Sequence, residues 1–214
     1  MKIIISPAKT MKPCKETTGT IPLFEKKAEQ IREELIHDPE LFIKYGYNEE
    51  KTNLIKEKMK DQHKYQAIHY FNGTVFKQIS STCNDSMYIL DAMYGLLRPS
   101  DLISFYRLDY LMYPKYYDYY KESINEILSK EDLIIDLASK EFTRYIEHPH
   151  KITIDFILLE NNKIKRPSMI LKKCRGMFVN ELLKGKELKE ITVEGFKYDQ
   201  ELSTQNTYVY KKQA

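Results

Sequence analysis

Apolar residues open the chain as an unbroken run. Ile3, Ile4 and Ile5 are all β-branched, and Pro7, which lacks a backbone N–H, closes the segment, so a short buried strand is predicted at 3–5. A loop rich in Thr, Pro and Gly follows over 13–22. Phe24, Ala28, Ile31 and Leu35 then recur at helical spacing, predicting a helix over 23–36, and 49–59 and 63–71 repeat the habit. Over 86–110 the text SMYILDAMYGLLRPSDLISFYRLDY predicts a helix ending near Gly95. Leu96, Leu97, Arg98 and Pro99 make a corner, and Ser100 or Asp101 can cap a second short helix. A further helix is predicted over 112–128. LIIDLAS (133–139) has the character of a buried strand leading into a helix capped by Ser139. Residues 151–160 alternate as a strand that Asn161-Asn162 turns into a partner. A basic helix covers 168–184, and 195–199 and 206–211 give two short strands. No Gly/Ser linker, internal repeat or regular βαβ rhythm interrupts this order. The expectation is an α+β, or irregular mixed α/β, fold in one compact domain over 1–214, with a small mixed sheet surrounded by helices.

Composition narrows the picture. At 214 residues, with 42% hydrophobic and 30% charged residues, the chain can bury a sizeable core. No apolar run approaches the roughly 18 residues needed to span a bilayer, and the IIIS core lacks a small-residue cleavage site. Neither a membrane partner nor a secretory signal is expected. The three cysteines, Cys14, Cys83 and Cys174, are odd in number and far apart, which suits a reducing cytoplasm rather than a disulfide framework. The histidines fall at spacings that match no metal quartet, and Walker A and dinucleotide glycine signatures are missing. No metal or cofactor is therefore expected. A net charge of +3 is too small for indiscriminate polyanion binding, so any nucleic-acid case rests on local clustering.

Four clusters bear on chemistry. Ser6 and Lys9 have the Ser-x-x-Lys spacing of acyl-transfer dyads, but the Ser-Asp-Asn, Lys-Thr-Gly and Gly-x-Ser-x-Gly partners are missing. The alternative is that Ser6 caps a helix with Pro7 at its first position while Lys9 faces an anion at a strand end. Arg98 and Arg107 flank the corner, where each can hold a phosphate or carboxylate with two parallel bonds or simply close a carbonyl-rich end. KIKRPSMILKKCRG (163–176) gathers Lys163, Lys165, Arg166, Lys172, Lys173 and Arg175 with no acid. On a helix Lys172 and Arg175 face one way, and Gly176 implies close packing or a ligand near the backbone. Tyrosines 106, 110, 113, 116, 117, 119 and 120 could stack on bases. Asp109, Asp118 and Glu122 dilute the charge there, so packing carries more weight.

Taken together, ISPAKT (5–10), NGTVFK (72–77), YGLLRPSDLISFYRL (94–108), DLASKEF (136–142), KKCRGMF (172–178) and VEGFKYD (193–199) resemble, in order, the YaaA peroxide-stress family. The resemblance implies a bacterial cytosolic protein that helps cells survive hydrogen peroxide by keeping free intracellular iron low. It also implies a compact α/β fold with a positively charged cleft and a helix-hairpin-helix-like element, and hence DNA binding. Ser6, Lys9, Tyr94, Arg98, Arg107, Lys172, Lys173, Arg175 and Glu194 occupy the matching positions. Cys174 stands where the family usually has alanine, and a thiol between Lys173 and Arg175 could have a lowered pKa and sense oxidant. Two functions follow. One is protection by DNA binding, with phosphates held and bases unread. The other is an enzyme acting on a small anionic substrate in the same cleft, with Lys9 or Glu194 handling the proton.

Overall fold

The computed structural model describes residues 1–38, 40–80, 85–108 and 115–214. Cys83, Asp109, Tyr110 and Tyr113, and the side chain of Tyr117, lie outside the described residues. The main sheet has eight strands among those residues, seven of them in the order β4-β3-β1-β6-β7-β10-β9. Its centre is β1 (Lys2–Ile5), which pairs in parallel with β3 (Met87–Asp91) on one side and β6 (Ile134–Asp136) on the other. β7 (Lys151–Glu160) continues the parallel run from β6, and β10 (Thr207–Gln213) continues it from β7. Both margins are antiparallel: β4 (Gly95–Leu97) on β3, and β9 (Lys197–Asp199) on β10. A separate two-stranded ribbon joins β2 (Tyr65–Gln66) to β5 (Leu102–Ile103). Central parallel strands are covered on both faces, which is why they read as continuous apolar runs. Ile3, Ile4 and Ile5 are at most 1% exposed.

The eighth strand, β8 (Lys163–Lys165), matters for position. Leu158 and Leu159 pair with β10 and also with β8, so β8 must occupy the edge of β7 opposite β10. That is the β6 edge, and β6 stops at Asp136 opposite Thr153. The β7–β8 hairpin therefore extends past the carboxyl end of β6. Asn161 and Asn162, with φ of 48° and 59°, form the predicted turn.

Helices cover the sheet. α1 (Glu25–His37), α2 (Glu40–Lys44) and α3 (Glu49–Lys60) follow one another, with α1 packed on α3 and Asn48 capping α3 through its side chain. α4 (Ala67–Tyr70) and α6 (Lys140–Thr143) are single turns, whereas α5 (Lys115–Leu128) and α7 (Ser168–Leu183) are long. Of the described tyrosines in the rich stretch, three pack inward and Tyr119 stays exposed. Tyr106, Tyr116 and Tyr120 are buried, and the Tyr120 hydroxyl donates to the Met93 carbonyl at 2.7 Å. Phe156, Phe178 and Tyr210 meet with ring centroids 4.9–5.8 Å apart and fasten α7 to β7 and β10.

Four expectations are corrected. Residues 86–97 form the β3–β4 hairpin, not a helix. Asp91 accepts the backbone N–H groups of Met93 and Tyr94, each at 2.8 Å, and Gly95 turns at φ 70°, tight geometry that a helix could not supply. Every side chain from Ile89 to Leu97 is buried, so its apolar spacing carries no helical or strand signature. After the corner, residues 102–103 enter β5 instead of a second helix, and 63–71 yields only β2 and the one turn of α4. No helix starts at Ser6. Its hydroxyl bonds to Ser139, 133 residues away in sequence, and 7–10 run as an irregular loop.

Candidate functional site

The chain leaves β1, adds β3 on one side, and later crosses to add β6 on the other. The loops after β1 and β6 thus diverge from neighbouring carboxyl ends, the geometry that opens a crevice in parallel sheets. A cleft of about 470 Å³ lies there, lined by parts of segments 5–11, 73–76, 106–108 and 137–142 and by Lys172 and Arg175 of α7. Ser6 stitches its floor: Oγ accepts the Ser139 N–H at 2.7 Å and lies 3.2 Å from the Ser139 hydroxyl. Gly73 seats against Ala8, because a Cβ at 73 would stand 2.7 Å from the Ala8 Cβ. Arg107 is steered by Tyr47, whose hydroxyl accepts from Nε at 2.7 Å and whose ring lies 5.8 Å from the guanidinium carbon.

Of the sequence candidates, the fold brings Ser6, Lys9, Arg107, Lys172 and Arg175 to this cleft. Lys9 and Lys172 are exposed, whereas Arg107 and Arg175 are half-buried. Lys172 makes no ion pair or hydrogen bond among the described residues. Arg175 Nε is shielded from solvent and has no hydrogen-bond partner among them. Burial draws the Arg175 guanidinium below its ordinary value, opposed by the charges of Asp155 and Asp136. Among the described lining residues Glu141 alone is acidic, and its Oε1 is shielded from solvent.

The other candidates sit elsewhere. Tyr94 is 4% exposed and bonds to Ser104 and Arg32 away from the cleft. Arg98 is occupied at its corner: Nε donates to Asp101 at 2.9 Å and Nη2 to the Ile21 carbonyl at 2.6 Å. Lys173 forms a 2.9 Å ion pair with Glu194 on the outer side of α7, and that lysine holds Glu194 below the usual carboxylate range, which works against a proton-handling role. The oxidant-sensing thiol is overturned. Cys174 is fully buried, and burial pushes its thiol up to about 11 despite Lys212 and Lys173, so the thiolate is scarce. Gly176 marks close packing, with the carbonyl of Val75 where its Cβ would go.

Two buried acids escaped the sequence reading. Asp91 and Asp136 end β3 and β6, where a single carboxylate interrupts an apolar strand, and that interruption is the signal that could have found them. Asp91 accepts the Tyr106 hydroxyl. Asp136 accepts the Thr143 hydroxyl and the Ala138 N–H, the latter at 2.9 Å. Burial raises both carboxyls from 3.8 to about 6. Between those values the folded chain holds protons that the unfolded chain releases, so stability falls as pH rises through about 4 to 6, by roughly 2–3 kcal/mol per group. Asp136→Asn keeps an acceptor for Ala138 and should flatten this slope in urea unfolding at stepped pH. Stability that rises with pH across the window would reject the assignment.

Fold and cleft define a mixed α/β protein with a crevice at the carboxyl ends of two adjacent parallel strands. The chain belongs to the peroxide stress protein YaaA family, whose model matches residues 1–202. It is 32% identical over 246 aligned positions to a UPF0246 protein of Malacoplasma penetrans, covering 99% of each chain. It is also 27% identical to a UPF0246 protein of Fusobacterium nucleatum, covering 99% of each, and 28% identical to one of Clostridioides difficile, covering all of both. Among the described residues no helix is long and apolar enough to cross a membrane, and no three of His, Cys, Asp and Glu are grouped to hold a metal.

Proposed function

We propose that the chain serves the peroxide-stress response by binding a phosphate-bearing ligand in this cleft, through Lys9, Arg107, Lys172 and Arg175, with Ser6 fixing the floor. The observation that carries the reading is Arg175. A shielded guanidinium Nε without a partner costs about 1–3 kcal/mol, so the fold holds this cation at the cleft lining at a cost, where its other N–H groups can give an anion charge-assisted bonds. DNA held by its phosphates is the second reading, favoured by the exposure of Lys9 and Lys172, which could track a backbone without reading bases. Any effect on intracellular iron is placed downstream of that binding. Cytoplasmic location belongs to the same proposal.

Arg175→Met combined with Lys172→Ala tests it. Titrations would use inorganic pyrophosphate and 5′-phosphorylated oligonucleotides, single-stranded and duplex, at low and moderate salt. The double variant should lose at least about tenfold in affinity, the loss of one charge-assisted bond, while Lys184→Ala on the outer surface should not. Removing the unsatisfied guanidinium should leave melting unchanged or raise it, as expected when a binding residue is held at the expense of stability. Duplex affinity that falls steeply with salt would favour DNA. Wild-type affinity for every probe in the double variant would sink the proposal.

A further inference from the structure

The same cleft has a second wall that phosphate does not explain. Phe76, Tyr106, Leu108, Leu137 and Phe142 line it, all of them buried, alongside the basic residues. A space of about 470 Å³ falls in the range of small-molecule pockets. Inorganic phosphate would fill a small part of it and leave the apolar wall wet. Glu141 is the third observation. Its carboxylate lines the cleft and can accept from N–H donors that a bare phosphate does not carry.

We infer that the cleft takes a nucleotide unit. The phosphate meets Arg107, Lys172 and Arg175, the flat base lies against the aromatic and aliphatic residues, and Glu141 accepts from an N–H donor on the base. The inference rests on the anion-binding reading above and names its ligand class. It needs no glycine-rich phosphate loop, because side-chain cations replace the backbone amides of such loops. Carboxylates read base donors in this way at nucleic-acid edges, and aromatic faces stack bases of any identity. A free nucleotide and the end of a single strand share this chemistry.

Calorimetric titration of the full chain separates the parts. The probes are the nucleoside 5′-monophosphates, the unphosphorylated nucleosides, ribose 5-phosphate, and a 5′-phosphorylated tetranucleotide with and without its terminal base. At least one monophosphate, or the base-bearing tetranucleotide, should bind ten times or more tighter than its base-free counterpart, and nucleosides should bind weakly. Which of the two succeeds tells a free ligand from a strand end. Glu141→Gln should cut the affinity for the base-bearing probe about tenfold while leaving ribose 5-phosphate unchanged or tighter. A merely structural role for Glu141 would weaken both alike. Equal binding of base-bearing and base-free probes would overturn the nucleotide inference and leave anion binding standing. No binding of any phosphate compound would overturn both.

Discussion

Arg32→Met is expected to lower the unfolding free energy by about 4 kcal/mol. Arg32 is 6% exposed, and its guanidinium is enclosed by acceptors. Nη1 donates to the carbonyls of Met59 at 2.7 Å and Phe105 at 2.8 Å; Nη2 donates to Ser104 Oγ at 2.7 Å and Tyr94 Oη at 3.3 Å. One side chain of α1 thus ties the end of α3 to the segment that leads into Tyr106 and Arg107. Methionine would fill the volume and abandon two buried carbonyls, each left at roughly 1–3 kcal/mol. Arg32→Lys offers three donors where four acceptors wait, and should recover about half. Urea unfolding of the three proteins gives the answer. A loss below about 1 kcal/mol for methionine would mean that the carbonyls find water.

Gly176→Ala should invert an ordinary rule. Alanine in a helix interior normally gains about 1 kcal/mol over glycine. At 176 a Cβ would stand 2.2 Å from the Val75 carbonyl oxygen and 2.8 Å from the Gln78 Cβ, and the first of these is backbone that cannot turn aside. The expected result is a loss of about 2–3 kcal/mol. Because 73–76 lines the cleft on its other side, ligand affinity should drop with it, although residue 176 touches no ligand. Thermal melting and the pyrophosphate titration together check this. An alanine variant that melts higher would show that α7 and the Gly73–Phe76 segment have room to part.

These residues also mark what a sequence can disclose. The strands at 3–5 and 151–160 and the helices at 23–36, 49–59 and 168–184 were legible because each has a consistent period and clear ends. The β3–β4 hairpin was not, because MYILDAMYGLL is buried on all sides and its turn depends on the Asp91 carboxylate, a contact invisible to periodicity. Within the cleft, Lys172 and Arg175 share a helix face and could be grouped from spacing alone. Ser6 and Lys9 reach them only through the strand order. Arg98 and Lys173 carry the same charge but are consumed by Asp101 and Glu194, and nothing in a residue's type tells which cations are already spoken for. Arg32 gave no sign at all, sitting in a helix of alternating charges where it looked solvated.

The central position of β1 has a consequence during synthesis. β1 precedes in the chain both strands that flank it, so Ile3 must wait for Met87 on one side and Ile135 on the other. Until residue 91 has emerged its three isoleucines have no strand to pair with, their second edge stays open until residue 136, and the cleft closes only once Arg175 has followed. Such long-range parallel pairing is slow and leaves apolar surface open meanwhile. Shielding Ile3–Ile5 until both partner strands arrive would therefore raise the share of the chain that reaches its native state.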